Sequence, residues 1–385
     1  MRKDWEYKKL GEVATFNRGL TYSGKDEVDF SENIVLRSNN IDIDSNTLNL
    51  NELKYISDEI IIPKDKRLKR NSIFICMSNG SKQHLGKVAF IDKDYSYAFG
   101  GFMGLISPEE KSLIPKFLYY FLCSTKFKLF LTIIGNGANI NNIKFSDISK
   151  VNLPLPQKST QLSIVAELDK INELIQLKKQ QLKDYDQLAQ SIFYEMFGDP
   201  VENEKGWEVK KISEVSIYYN GKAHENDIDE SGKYILINSK FISSEGSVLK
   251  RTATQHFPLY KNDVVMVLSD LPNGKALGKC CLITKDDIYS LNQRICCFRG
   301  FKGDSHFFKY MINRHPYFLS FDDGKGQTNL RKKDVENCPI PLPPLPLQQQ
   351  FAARIEAIER QKQQVSETIK DLETLLASRM QYWFD

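Results

Sequence analysis

The chain has no apolar run approaching the roughly 20 residues that cross a bilayer. Its opening, MRKDWEYKK, lacks the apolar core of a secretory leader. These absences predict a cytoplasmic protein with no membrane partner. Cysteine is sparse, seven in 385 residues, without a regular framework and with two adjacent pairs, Cys280-Cys281 and Cys296-Cys297. That excludes a disulfide scaffold and predicts reduced thiols, mostly buried in strands. A dominant charge sign is also missing. The net charge of +4 permits a nucleic-acid partner without demanding one, because clustering matters more than the total. What is there, 41% hydrophobic and 26% charged residues, is ordinary globular composition, and the length suits two domains better than one core.

Catalytic constellations are missing as well. GSKQHLGKV resembles a phosphate loop, but residues 81–85 put five positions between Gly80 and Gly86 where that loop needs four. Val88 also stands where it needs Ser or Thr, and the corresponding NGKALGKC is shorter still. Glu52-Leu53-Lys54 with Asp42 or Asp44 has the spacing of a metal-dependent nuclease core, yet GSVLKRT offers no counterpart. The five histidines have no Cys or His partner at zinc spacing. Neither an Asn-Pro-Pro-Tyr or Asp-Pro-Pro-Tyr segment nor a glycine-rich S-adenosylmethionine turn occurs. No catalytic residue, cofactor or metal site is therefore expected.

What the sequence does contain, it contains twice. WEYKKLGEV at Trp5 returns as WEVKKISEV at Trp207, and Gly19 matches Gly221. LKRNSIFICMS (68–78) matches LYKNDVVMVLS (259–269), LGKVAFI (85–91) matches LGKCCLI (277–283), and GNGANINNIKFSDI (135–148) faces GKGQTNLRKKDV (324–335). VNLPLP (151–156) faces CPIPLP (338–343). The offset drifts from 202 residues at the tryptophans to 187 at Pro156 and Pro343, so the second copy is shorter through loop deletions. A period this long is a tandem domain duplication, not a solenoid. In each copy short β-branched or aromatic runs read as strands between Asn-, Gly-, Ser- and Lys-rich loops. A short helix follows (PKFLYYFLCS or HFFKYMINR), then a proline-rich strand exit and a long helix.

The long helices carry the sharpest periodic signal. Ile164, Leu168, Ile171, Ile175, Lys178, Leu182, Tyr185, Ala189, Ile192 and Met196 follow 3-4 spacing. Adding 187 gives Phe351, Ile355, Ile358, Lys362, Val365, Ile369, Leu372, Leu376, Arg379 and Trp383. An apolar stripe this long marks a coiled-coil seam. Gly198 suits the position after the first helix, Pro200 forbids continuation, and Pro346 suits the first turn of the second. Each helix is about 40 residues, or about 60 Å at 1.5 Å per residue. Two such helices most simply pair with each other, although each could pack on its own domain. Lys178, Lys362 and Arg379 read either as seam residues that set register or as marks of a docking partner.

Together these features resemble the specificity subunits of type I restriction–modification systems. The carriers are WEYKKLGEV and WEVKKISEV at the domain starts, NLPLP…QLSIVAELDKI and PIPLPPLPLQQQFAARIEAIE at the helix starts, and SIFYEMFGDP closing the first helix. The resemblance spans essentially the whole chain. It implies an α+β fold of two pseudo-symmetric target-recognition domains (1–156 and 199–343) separated by spacer helices (157–198 and 344–385) that form an antiparallel coiled coil. It also implies a non-catalytic subunit that reads a bipartite, asymmetric site in double-stranded DNA. The implied partners are two methyltransferase subunits and restriction motor subunits. A subunit of another split-site restriction system is an alternative. So, from other classes, are a self-contained nuclease or methyltransferase and a coiled-coil scaffold with non-DNA ligands.

Base edges are read by Arg, Lys, Asn, Gln and Ser/Thr, and phosphates by Lys, Arg and backbone amides. Four loop sets fit. The first is Arg37, Ser38, Asn39 and Asn40, opposite Asn238, Ser239 and Lys240. Asn79, Ser81, Lys82, Gln83 and His84 form the second, with Asn273 and Lys275 opposite. The third is Asn292, Gln293 and Arg294, polar where the first copy has FGGF. The fourth is Asn136, Asn139, Asn141 and Asn142, facing Lys325, Gln327, Thr328, Asn329, Arg331, Lys332 and Lys333. Each set could equally be a solvated turn, since Asn, Gly and Ser are turn residues. TNLRKK, three cations beside a glycine loop, is the best phosphate candidate.

Overall fold

The apolar runs that the sequence repeats form the same strands twice. The computed structural model describes residues 5–43, 45–81, 84–135, 142–224, 226–272 and 274–385. In the first copy Ala14–Arg18, Met103–Pro108, Ser72–Cys76 and Val88–Ile91 lie side by side in that order, all antiparallel. In the second, Ile217–Asn220, Ile295–Arg299, Val264–Val267 and Cys280–Leu282 repeat the order and direction. Ser72–Cys76 and Val264–Val267 are buried along their whole length, which is why they read as unbroken apolar runs. A smaller sheet follows the same rule. Ile34–Leu36 runs parallel to Ala98–Phe99, as Tyr234–Ile237 does to Tyr289–Leu291.

The repeated tryptophan segments begin each copy by pairing with its end. Glu6–Lys9 is antiparallel to Asn152–Leu155, and Glu208–Lys211 to Pro339–Leu342. These are two-stranded pairs, so each strand keeps an open edge where proline needs no ladder donor. Gly19 and Gly221 mark a second shared feature. A Cβ at either would lie 2.0 Å from a carbonyl oxygen, that of Gly100 or Asn292. Only glycine lets the backbones approach so closely there.

The two long helices are Lys158–Phe197 and Leu345–Phe384. Gly198, at φ +80°, ends the first as its sequence position suggests. The chain is α+β and divides into two units that do not follow the sequence boundaries. One comprises Met1–Lys178 and Thr368–Asp385, and the other Lys179–Glu367. Each unit therefore takes the start of its own long helix and the end of the other.

Those helix ends complete the cores. In the second unit Phe197, the last residue of the first helix, lies 4.8 Å from Phe307 and 5.3 Å from Phe351 between ring centroids. In the first unit Phe384, 187 positions on, lies 5.3 Å from Phe117 and 6.0 Å from Phe121. Phe117 and Phe307 sit in the matching short helices Pro115–Cys123 and Ser305–Ile312.

Within each unit the long helices pair antiparallel as a coiled coil. In the second, Phe193 and Phe197 meet Phe351 while Asp186 binds Lys362. In the first, Glu167 accepts from Arg379 and Trp383. Every residue of the two seams is buried or half-buried. Among the described residues no single helix is long and apolar enough to cross a membrane.

Candidate nucleic-acid interface

The four loop sets are far apart in sequence, and backbone bonds bring them together in both units. In the first unit Gly100 N–H donates to Leu36 C=O (2.9 Å), Met77 N–H to Phe102 C=O (2.9 Å) and Ile143 N–H to Met77 C=O (2.7 Å). In the second, Asn292 N–H donates to Ile237 C=O (3.0 Å), Leu268 N–H to Arg294 C=O (3.0 Å) and Leu330 N–H to Leu268 C=O (2.8 Å). Ser78 pairs with Asn142 as Ser269 pairs with Asn329. The first set thus abuts the third, the third the second, and the second the fourth. The frame is the same in both copies, while the residues it carries differ.

In the first unit the sets border a cleft of about 810 Å³ lined by Arg18, Tyr22, Arg37, Ser38, Asn39, Asn79, Gly100, Gly101 and Phe102, among others. Arg37 and Asn39 are exposed, and Ser38 and Asn79 half-buried. Asn79 is held by its own bonds. Its Nδ2 donates to Ser38 Oγ (2.9 Å) and its Oδ1 accepts from Ser81 N–H (2.8 Å). Arg18 Nε donates to Gly101 C=O (3.2 Å). Burial raises the Tyr22 hydroxyl above its usual range, with Arg37 acting against it, so the ring stays neutral beside the cations. Beneath the second loop, burial pushes the Cys76 thiol up to about 11.

The second unit builds the same face from different chemistry. Asn238 caps the short helix Ser239–Ser243 by accepting from Phe241 N–H (2.8 Å), which leaves Lys240 exposed. Asp270 accepts from Leu271, Ala276 and Leu277 N–H and so shapes the loop that carries exposed Lys275. Asn292 Oδ1 accepts from Arg294 N–H (3.2 Å), and Gln293 and Arg294 are exposed. Lys325, Gln327, Asn329, Arg331, Lys332 and Lys333 are all exposed. Lys332 lies 3.5 Å from Glu336.

Two of the predicted contacts are corrected. Asn40 is buried, with Oδ1 accepting from Arg37 N–H (2.8 Å) and Nδ2 donating to Asn49 and Glu52 C=O (2.9 and 2.8 Å). Thr328 is buried, and its hydroxyl donates to Asp322 (3.1 Å). Both shape their loops from inside. Lys82, Gln83, Asn136, Asn139, Asn141 and Asn273 lie outside the described residues, as does Asp44 of the nuclease-like spacing. Ser81 and Asn142 are exposed, and Ser239 and His84 half-buried. The rest of the nuclease-like triplet is otherwise engaged. Lys54 pairs with Glu27, and Asp42 accepts from Ser45 (2.8 Å).

Arg18 and Phe102 were not singled out by sequence reasoning. Phe102 aligns with Arg294, and that alignment is the signal that could have found it. Of the seam exceptions, Arg379 bonds Glu167, and Lys362 sits 2.6 Å from Asp186 and 3.6 Å from Glu245.

A family model described as type I restriction modification DNA specificity domain matches the chain twice, over residues 2–184 and 204–374. The StySPI specificity subunit of Salmonella potsdam is 22% identical over 390 residues, 92% of this chain and 82% of the relative. The putative MjaX specificity subunit of Methanocaldococcus jannaschii is 23% identical over 403 residues, 97% and 93% respectively. Among solved structures, a chain from work on complex assembly and conformational transition of the type I R-M system aligns with TM-score 0.57 at 17% identity, covering 100% of this chain and 98% of its own. The S subunit of the type I system from M. genitalium aligns with TM-score 0.53 at 14% identity, covering 98% and 95%. At these identities the two structures speak for the fold alone.

Proposed function

The chain belongs to the type I restriction–modification DNA specificity family, and from that premise we propose how it works. It is the DNA-specificity subunit of a type I complex, recognising a bipartite site and docking the other subunits of the system. The observation that carries this reading is the pairing of one frame with two different loop sets. Two matching frames present similar faces to one duplex, while unlike loops free the two half-sites from being palindromic. The first unit reads through Arg37, Ser38, Asn39, Asn79, Ser81 and Asn142. The second reads through Asn238, Lys240, Lys275, Gln293 and Arg294, with Lys325, Arg331, Lys332 and Lys333 on phosphates. Phosphate contacts fix register and make binding fall steeply with salt, whereas base contacts specify.

The subunit itself transfers no methyl group and cuts no bond. That chemistry belongs to two methyltransferase subunits and the restriction motor subunits that join them, and an assembly acting on host and incoming DNA works in the cytoplasm. The test is co-expression with candidate methyltransferase subunits, followed by mapping of methylated sites in host DNA. A split motif that appears only with all subunits present is expected, and exchanging residues 1–150 changes one half of it. Methylation or cleavage by the chain purified free of partners would overturn the non-catalytic role. A motif whose halves change together would overturn independent reading.

A further inference from the structure

In the third loop set the two frames put opposite chemistry at the same position. Phe102 and Arg294 occupy matching turns, each just before the strand that starts at Met103 or Ile295. Each offers its carbonyl to the second loop, Phe102 to Met77 N–H (2.9 Å) and Arg294 to Leu268 N–H (3.0 Å). Phe102 also accepts from Ser78 N–H (3.1 Å), so its backbone is fixed from one side by two donors. The residue is nevertheless 71% exposed. The preceding residues, Gly100 and Gly101, carry no side chain to cover it, and polar readers share its cleft: Arg37, Asn39 and Asn79. A large apolar ring on a fixed stretch of backbone, set among polar groups and unused by the core, suits a contact that polar groups cannot make. The apolar feature that distinguishes a base edge in the major groove is the thymine 5-methyl group.

We propose that Phe102 is a specificity-determining residue that packs on a thymine methyl in the half-site read by the first unit, whereas Arg294 at the matching position reads guanine in the other half-site. The assignment rests on the DNA-reading function proposed above. Arginine presents a donor fork to guanine O6 and N7, and phenylalanine presents only apolar surface, so the two frames read different bases with one geometry. Phe102 needs no hydrogen-bond partner to discriminate. Its contact is lost when the methyl is lost, whatever the Watson–Crick pairing.

The test uses the assembled complex with its methyltransferase subunits and a duplex carrying the mapped motif. Each thymine of the motif, on both strands, is replaced in turn by uracil, which deletes only the methyl group. Wild type should weaken at one thymine of one half-site by about fourfold, the worth of one buried methyl. Phe102→Ala should be insensitive there, Phe102→Leu should keep the sensitivity, and both should assemble normally because the ring is exposed. Phe102→Arg should shift the preferred base at that pair towards guanine, leaving the other half-site unchanged. If Phe102→Ala retains the wild-type uracil profile, the inference is wrong while the DNA-specificity reading stands. A Phe102→Ala complex that fails to assemble, with Phe102→Leu assembling but insensitive to uracil, would assign the ring to a protein partner instead. If wild-type complex bound no split site at all, the functional reading would fail first and take this one with it.

Discussion

Two glutamines show how much of the duplication is held by single side chains. Gln161 is buried. Its Oε1 accepts from Ile114 N–H (2.8 Å), and its Nε2 donates to Ser112 and Pro156 C=O (3.0 and 2.8 Å). Gln348, 187 residues on, is buried too, accepting from Asp304 N–H (3.0 Å) and donating to Pro343 C=O (2.8 Å). Each amide fastens the proline-rich exit to the start of the short core helix. Replacing either by alanine strands a buried proline carbonyl and at least one partly buried N–H, each costing about 1–3 kcal/mol. A loss of about 3 kcal/mol is expected for each, measured by urea unfolding, and an unchanged midpoint would mean that water takes over the bonds. His315 offers a pH test. It is buried and caps the helix Pro316–Leu319 by accepting from Tyr317 N–H through Nδ1 (3.2 Å). Burial holds its imidazole below the usual 6.5, with the Asp199 carboxylate opposing. The unfolded chain therefore binds the proton more readily than the folded one. The contribution of this group is full above about pH 6.5 and is lost as pH falls from there towards the depressed folded value. His315→Asn keeps a capping acceptor and removes the titration. Between pH 7.5 and 5.5 the wild-type thermal midpoint should drop further than that of the variant, and parallel drops would exclude His315 as the cause.

At the scale of elements, each long helix finishes the core of the unit it reaches last. Phe197 packs among Phe193, Phe307 and Phe351, and Phe384 packs among Phe117 and Phe121. Truncating a buried phenylalanine to alanine costs about 3–5 kcal/mol. The expected effect is crossed. Phe197→Ala should expose the amides of Ser305–Ile312 to hydrogen exchange, and Phe384→Ala those of Pro115–Cys123, as read by mass spectrometry. Protection lost in the wrong unit, or equally in both, would mean that the helix ends do not plug the cores as packed. The seams were legible in the sequence because a 3-4 apolar spacing is a local signal. The plugs were not, because Phe197 and Phe384 each stand one position beyond a seam residue, Met196 or Trp383, and nothing local distinguishes them. The strands and their duplication could likewise be read from apolar runs, but the convergence of the four loop sets depends on bonds such as Leu36 to Gly100, 64 positions apart. Asn39 and Asn40 are adjacent and chemically identical, yet one faces solvent and the other staples the loop. Composition could not separate them, and Phe102 was passed over because an aromatic residue reads as core.

At the scale of the whole molecule, the function proposed above assigns reading to the loops and spacing to the helices, and the second assignment can be tested. Both long helices contribute to both units, so a change in helix length acts on the chain as a whole. The polar seam residues add a constraint on register. Arg379 with Glu167, and Lys362 with Asp186, are ion pairs between the two helices that a slipped alignment would separate. A heptad inserted into each helix keeps both apolar stripes in phase, whereas three or four residues would locally overwind or unwind the pair. Seven residues lengthen a helix by roughly 10 Å, equivalent to about three base pairs at 3.4 Å each. If the helices are the ruler, the recognised site should keep both half-sites and gain about three pairs of unspecified sequence between them, with weaker binding from the altered phase of the DNA. The measurement is the map of methylated sites for the lengthened subunit with its partners, alongside wild type. An unchanged spacer in an assembled, methylating complex would transfer the spacing role to the partner subunits. Altered half-sites would show instead that the insertion had disturbed the reading loops, a result the local hydrogen bonds of those loops argue against.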